Sequence, residues 1–285
     1  MSTETTVSLD GVDIFVVSQG TGVPIFVIGG PWFGHTYLRQ FHDQLATRFH
    51  VIAFDPRGSG RSSPLTEDRI NLEGHLTDLE GLRRALNVER MNLVGHSMGA
   101  LVSLLYAVDH PSEMGSLVLL HPGPPFDHQM QKDLHRAFGA GFTPEERTRL
   151  EQLASSSLFE ARDASTLEEY FKVLYSPFFP DRSTLARLDF AFTSTTALYA
   201  MDAEERLLPE ILARDPIARL GEIRCPTLVI HAEHDLIPEA FSRFLAQSIP
   251  GAEYLLLEGL GHFAFLENPA RFVPPNIEFL KRAAI

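Results

Sequence analysis

The sequence predicts an α/β protein built on a mostly parallel, buried sheet flanked by helices, with a helical insertion in the middle of the chain. Short apolar and β-branched runs alternate with longer segments of helical period. Most of the runs are bounded by glycine, proline or aspartate, the residues that stop strands. Between roughly residues 123 and 216 the alternation ceases, and helical patterns recur with no strand between them.

In chain order, the expected strands are Val12–Val17 after the turn Asp10-Gly11, Pro24–Ile28 before two glycines, Val51–Phe54 before Asp55, and Met91–Val94 before Gly95. Ser116–Leu120, Thr227–His231 and Glu253–Leu257 follow. Near-continuous apolar runs fit strands covered on both faces, and parallel neighbours need crossover helices. Leu72–Leu86 and Leu101–Val108 have the period for that role. In the insertion, Pro144–Leu153, Leu167–Leu174 and Leu185–Leu198 read as helices; Pro122, Pro124 and Pro125 mark its start and Asp215-Pro216 its end. The expected organisation is a core in two parts, 1–122 and 217–285, with a helical cap over 123–216.

A chain of 285 residues, 44% hydrophobic, is long enough to bury a substantial core. Its net charge of −13 argues against a nucleic-acid partner, which would demand clustered Lys and Arg. The polar start Ser2-Thr3-Glu4 has no basic-then-apolar leader, and no apolar run reaches membrane-spanning length, so no membrane association and a cytoplasmic location are expected. Cys225 is the single cysteine, which excludes an internal disulfide; the run Cys225–Ile230 points to burial in a strand rather than a catalytic thiol. No metal or organic cofactor is expected, and the expected partner is a small-molecule substrate.

Gly95-His96-Ser97-Met98-Gly99 carries the chemistry. It follows an apolar run and precedes a helical pattern, the strand–turn–helix context in which a strained serine is lifted off a sheet edge. Ser97 is the expected nucleophile, and the Met98 N–H, at the helix start, an expected oxyanion donor. A serine hydroxyl needs a base near neutral pH and a group that fixes the base's tautomer. His262, in the loop Glu258–Phe263 after the last strand, is the candidate base among twelve histidines; His96, next to the serine, would point elsewhere at the elbow, and His121, His231 and His234, at strand ends, read as structural. Asp235, after the strand ending near His231, is the candidate acid, with Glu233 and then Asp127 as alternatives. The order Ser, acid, His suits this fold. A second oxyanion donor is expected from Ile28-Gly29-Gly30-Pro31-Trp32, at the Gly30 N–H, with Trp32 and Phe33 lining an apolar pocket.

Together, Gly29-Gly30-Pro31, Asp55-Pro56-Arg57-Gly58-Ser59-Gly60-Arg61-Ser62 and the serine motif resemble the proline iminopeptidase group of the α/β-hydrolase superfamily, and Asp235, Gly261-His262 and Glu267-Asn268-Pro269 fit the broader superfamily. The resemblance implies a helical lid. Ile28, Trp32 and Met98 stand where iminopeptidases typically carry histidine, glycine and tryptophan, and methionine after the serine is common in esterases and carbon–carbon bond hydrolases of the superfamily. Arg57 and Arg61 read as loop-stabilising, since no P-loop ending follows them. The expected activity is hydrolysis of a small hydrophobic carboxylic ester through an acyl-enzyme. The alternatives are an aminopeptidase using lid carboxylates among Glu168, Glu169, Asp202, Glu204 and Glu205, or a ligand-binding receptor with little turnover.

Overall fold

A computed structural model describes residues 2–30, 32–124 and 126–284, with backbone only for Glu67 and Glu204. Pro31, Pro125 and the Glu204 side chain, each given a role above, lie outside the described residues. The strands are β1 (Ser2–Leu9), β2 (Val12–Gln19), β3 (Pro24–Ile28), β4 (His50–Phe54), β5 (Met91–His96), β6 (Met114–Leu120), β7 (Thr227–Ala232) and β8 (Glu253–Leu257). They form one sheet in the order β1-β2-β4-β3-β5-β6-β7-β8. The β1–β2 and β2–β4 pairs are antiparallel, and every pair from β4 to β8 is parallel.

The reason for the parallel half is visible in its composition. All residues of β5, β6 and β7 are buried, so helices must cover both faces. Around the first strands run α1 (Arg39–Leu45), α2 (Leu72–Ala85) and α3 (Met98–Asp109). Between β6 and β7 come α4 (His128–Ala140), α5 (Pro144–Ala154), α6 (Ser157–Glu160), α7 (Ala164–Leu174), α8 (Ser194–Tyr199), α9 (Ala203–Ala213) and α10 (Pro216–Arg219), with no strand among the described residues there. After β7 follow α11 (Glu239–Ser248), α12 (Ala264–Glu267) and α13 (Pro269–Ala283).

Three local outcomes differ from the sequence expectation. Strand β1 was not anticipated, because its polar residues are mostly exposed on an edge and leave no apolar run. It pairs with β2 through a two-residue hairpin in which Asp10 and Gly11 both take positive φ, the conformation a tight antiparallel turn favours. The single helix expected over Leu185–Leu198 is instead a 3-10 turn at Arg182–Arg187, an extended stretch with Ala191 at φ 48°, and α8, which starts where Thr193 caps the Thr196 N–H. Pro274 and Pro275 inside α13 hid that helix from a reading by breakers.

The segment between β6 and β7 is tied to the sheet half by hydrogen bonds. The Gly60 N–H donates to Thr196 Oγ1 at 2.8 Å and Thr193 Oγ1 donates to Gly60 O at 2.6 Å. Leu72 N–H donates to Glu210 Oε2, and Arg187 Nη1 to Leu266 O, both at 2.8 Å. The loop Asp55–Ser62 therefore serves as a brace between the two halves. Arg57 is locked beneath it by a two-pronged, buried pair with Asp78 at 2.7 and 2.8 Å and donates to Arg69 O, whereas Arg61 reaches the exposed Glu4. Burial raises the Asp78 carboxyl pKa, and Arg57 opposes the rise. Cys225 is buried beside β7, and burial pushes its thiol up to about 11.

Candidate active site

Ser97 sits between β5 and α3 with φ 58° and ψ −125°, a conformation that L residues adopt only when their surroundings impose it. The surroundings are clear. Its N–H donates to Leu120 O of β6 at 2.9 Å, and its carbonyl accepts from Ala100 N–H at 3.0 Å, so the backbone is held from sheet and helix at once. Glycine at 95 and 99 is required by close packing: a Cβ at 95 would overlap Ser103 and Ala100 of α3, and one at 99 would overlap the Gly29 carbonyl. As the first residue of α3, Met98 has an N–H without an intrahelical acceptor, and no other partner takes it among the described residues.

His262 arrives on the loop after β8 and is 1% exposed. Its Nδ1–H donates to Asp235 Oδ2 at 2.8 Å, which leaves Nε2 as the basic nitrogen. The Asp235 side chain is wholly buried, and its other oxygen accepts the Ile237 N–H at 3.0 Å. The two alternative acids serve elsewhere. Glu233 is exposed and accepts the Gly259 N–H, and Asp127 caps α4 by accepting the Met130 N–H. Ser97 Oγ has no hydrogen-bond partner among the described residues and does not cap the helix that follows it.

The other histidines divide. His231 pairs with Ser242 Oγ at 3.0 Å, as a structural histidine should. His121 does not: it is fully buried at φ 47°, neither ring nitrogen has a hydrogen-bond partner among the described residues, and its Nδ1 lies 3.6 Å from Asp235 Oδ2. Burial, then the neighbouring His262, drives its pKa well below the ordinary histidine value, so it faces Asp235 as a neutral ring. Glu267, on α12, entered the sequence analysis only as part of the superfamily resemblance, without a role of its own. It accepts the Gly261 N–H at 2.9 Å next to the His262 loop, and burial pushes its carboxyl up to about 7. Its place five residues after His262 was the available signal.

Two expected site residues are found in other roles. The Gly30 N–H, expected to face substrate, donates instead to Tyr37 Oη at 2.8 Å, because that buried phenol needs a partner. Phe33 is not at the pocket; it stacks on Phe190 at 4.2 Å and meets Phe171 and Tyr175 edge-on, forming the aromatic seam beneath the helical segment. Trp32 does line a cavity of about 230 Å3 with Ser97, Met98, Leu134, Phe138 and Ile237. Its indole N–H is buried with no acceptor among the described residues.

The alpha/beta hydrolase fold family matches residues 25–269 of the chain. The protein belongs to this family. Relatives of this α/β hydrolase include an AB hydrolase superfamily protein of Bacillus subtilis (strain 168), 24% identical over 92% of this chain and 93% of that protein. A proline iminopeptidase of Chitinophaga pinensis is 24% identical, covering 90% of this chain and 89% of its own length, in keeping with the resemblance of the motifs. Among solved structures, an N-acyl homoserine lactone degrading enzyme superposes with a TM-score of 0.66 at 27% identity, over 96% of this chain and 100% of that one. No helix among the described residues of this α/β hydrolase is long and apolar enough to cross a membrane.

Proposed function

We propose that this α/β hydrolase is a serine hydrolase that cleaves small hydrophobic carboxylic esters, with Ser97 as nucleophile, His262 as general base and Asp235 as the acid that orients it. The observation that carries the ester over the peptide is the cavity lining. Besides Ser97 it is formed by Trp32, Met98, Leu134, Phe138, Leu174 and Phe178, among others, and among the described residues no carboxylate lines it to receive a substrate ammonium. Three of the five acids considered for that task pair elsewhere: Glu168 with Lys172, Glu169 with Arg149, and Asp202 with Arg162. At about 230 Å3 the cavity is below the range of drug-sized sites, which supports a small acyl group.

In this reading Ser97 Oγ attacks the ester carbonyl carbon while its proton passes to His262 Nε2, and Asp235 stabilises the resulting imidazolium. The Met98 N–H receives the negative charge on the carbonyl oxygen. Collapse of the tetrahedral adduct breaks the bond to the alkoxide, which takes the proton from Nε2. A water deprotonated by His262 then attacks the acyl-enzyme, and the second adduct collapses to release the acid as the departing Ser97 Oγ takes the proton back from Nε2.

The test is parallel turnover of p-nitrophenyl esters, a small lactone and aminoacyl p-nitroanilides including proline, with Ser97→Ala as control. Ester or lactone cleavage lost in the variant is the expected result. Efficient prolyl-anilide cleavage would replace the esterase reading with an aminopeptidase, and ligand retention without turnover would leave a receptor.

A further inference from the structure

We propose that Tyr37 and His96 act as positioning residues that couple the glycine loop to the backbone of the catalytic base, an inference that rests on the serine-hydrolase reading above. Four groups form one buried chain: the Gly30 N–H donates to Tyr37 Oη at 2.8 Å, Tyr37 Oη lies 3.1 Å from His96 Nδ1, and His96 Nε2 lies 3.1 Å from the His262 carbonyl oxygen. Tyr37 and His96 are 3% and 2% exposed, so water offers neither an alternative partner.

The direction of every bond in this chain is fixed by its two ends. A backbone amide only donates and a carbonyl only accepts. His96 Nε2 must therefore carry the hydrogen, Nδ1 must be the acceptor, and Tyr37 must donate its single proton to Nδ1 while its lone pair receives Gly30. A protonated His96 would aim a second N–H at the phenol oxygen and break the sequence. The surroundings oppose that state too, since burial and then His262 drive the His96 pKa well below the ordinary histidine value.

Both ends of the chain are otherwise anchored. On one side Gly29 packs against Gly99 of α3, so the loop is clamped between the nucleophile helix and Tyr37. Tyr37 itself lies in the turn His35–Leu38, whose first N–H and ring nitrogen both bond Asp55 Oδ1 at 2.7 Å. On the other, the His96 and His262 rings are 4.7 Å apart and Phe265 meets His96 edge-on at 5.2 Å. The His262 side chain is thus held by Asp235 through Nδ1, and its main chain by His96, two restraints that together set where Nε2 points.

The experiment compares Tyr37→Phe, His96→Gln and His96→Leu in the full chain. Tyr37→Phe keeps the ring and deletes only the hydroxyl, which is at once the donor to His96 and the acceptor for the Gly30 N–H. The expected result is a fall in kcat of about tenfold to a hundredfold with KM nearly unchanged, because misplacement of the base affects the reaction and not substrate docking. Nitrogen NMR of Tyr37→Phe should show the His96 tautomer and the Gly30 amide shifting together. The amide of His96→Gln offers an acceptor to Tyr37 and a donor to His262, so it should recover activity that His96→Leu loses. Unchanged or increased kcat in Tyr37→Phe, an undisturbed His96 ring, or equal loss in both His96 variants would each overturn the proposal. Failure of the parent reading is seen separately, as turnover that survives Ser97→Ala while the NMR shifts still report on the chain.

Discussion

Helices α3 and α4 both supply the candidate site, but they are held in opposite ways. Every residue of α3 except Asp109 is buried, and its start is in backbone contact with the glycine loop. No residue of α4 is fully buried, yet Leu134, His135 and Phe138 line the cavity over Ser97. The contrast teaches a division of labour: the groups proposed to react are held by elements enclosed in the core, while the pocket wall is carried by a surface helix that rests on the core only through partly buried residues such as Met130, Leu134 and Phe138.

The largest effect expected on the rigid side is chemical. Ser97→Ala should lower kcat/KM by about 10^4- to 10^6-fold with an unchanged melting temperature; a smaller loss would break the comparison at its root. Next, Gly99→Ala should destabilise by about 1–3 kcal/mol or more in urea titrations, since the new Cβ meets the Gly29 carbonyl rather than a movable side chain. On α4, Phe138→Ala should alter the ratio of kcat/KM between short and long acyl esters by about tenfold and cost at most about 1 kcal/mol of stability. Equal losses for all substrates would show that α4 is part of the rigid set.

Glu267 gives the smallest and most pH-specific effect. The folded protein holds its proton more tightly than the unfolded chain, so the stability it contributes is fully present below the unfolded value of 4.5 and is lost as pH rises through about 7. Glu267→Gln keeps a neutral acceptor for the Gly261 N–H and should therefore melt a few degrees above the parent at pH 8, with the two curves converging below pH 4.5. Curves that stay parallel at all pH values would remove Glu267 from the titration.

Legibility in the sequence follows the same division. β5, Ser97 and α3 could be read because an apolar run, a glycine-flanked serine and a helical period stand in direct succession, and each reflects a local constraint. The partners Asp235 and His262 could be read from strand ends, though only the fold brings them to 2.8 Å. Gly30 illustrates the limit. Its glycine identity signals a close approach, but nothing local says that the approach is to Tyr37 and not to a substrate. Phe33 is similar: an aromatic next to the loop suggests a pocket, and only tertiary packing reveals the seam it joins with Phe190. The polar edge strand β1 left no apolar trace because it has little to bury.

The concealment of Cys225 has a practical corollary. With its one thiol buried and its pKa pushed up to about 11, the native chain offers little thiolate at neutral pH. A cysteine introduced on the solvent side of α4, at Lys132 for example, would then accept a fluorophore selectively, so that the helix over Ser97 can be followed optically against a silent background.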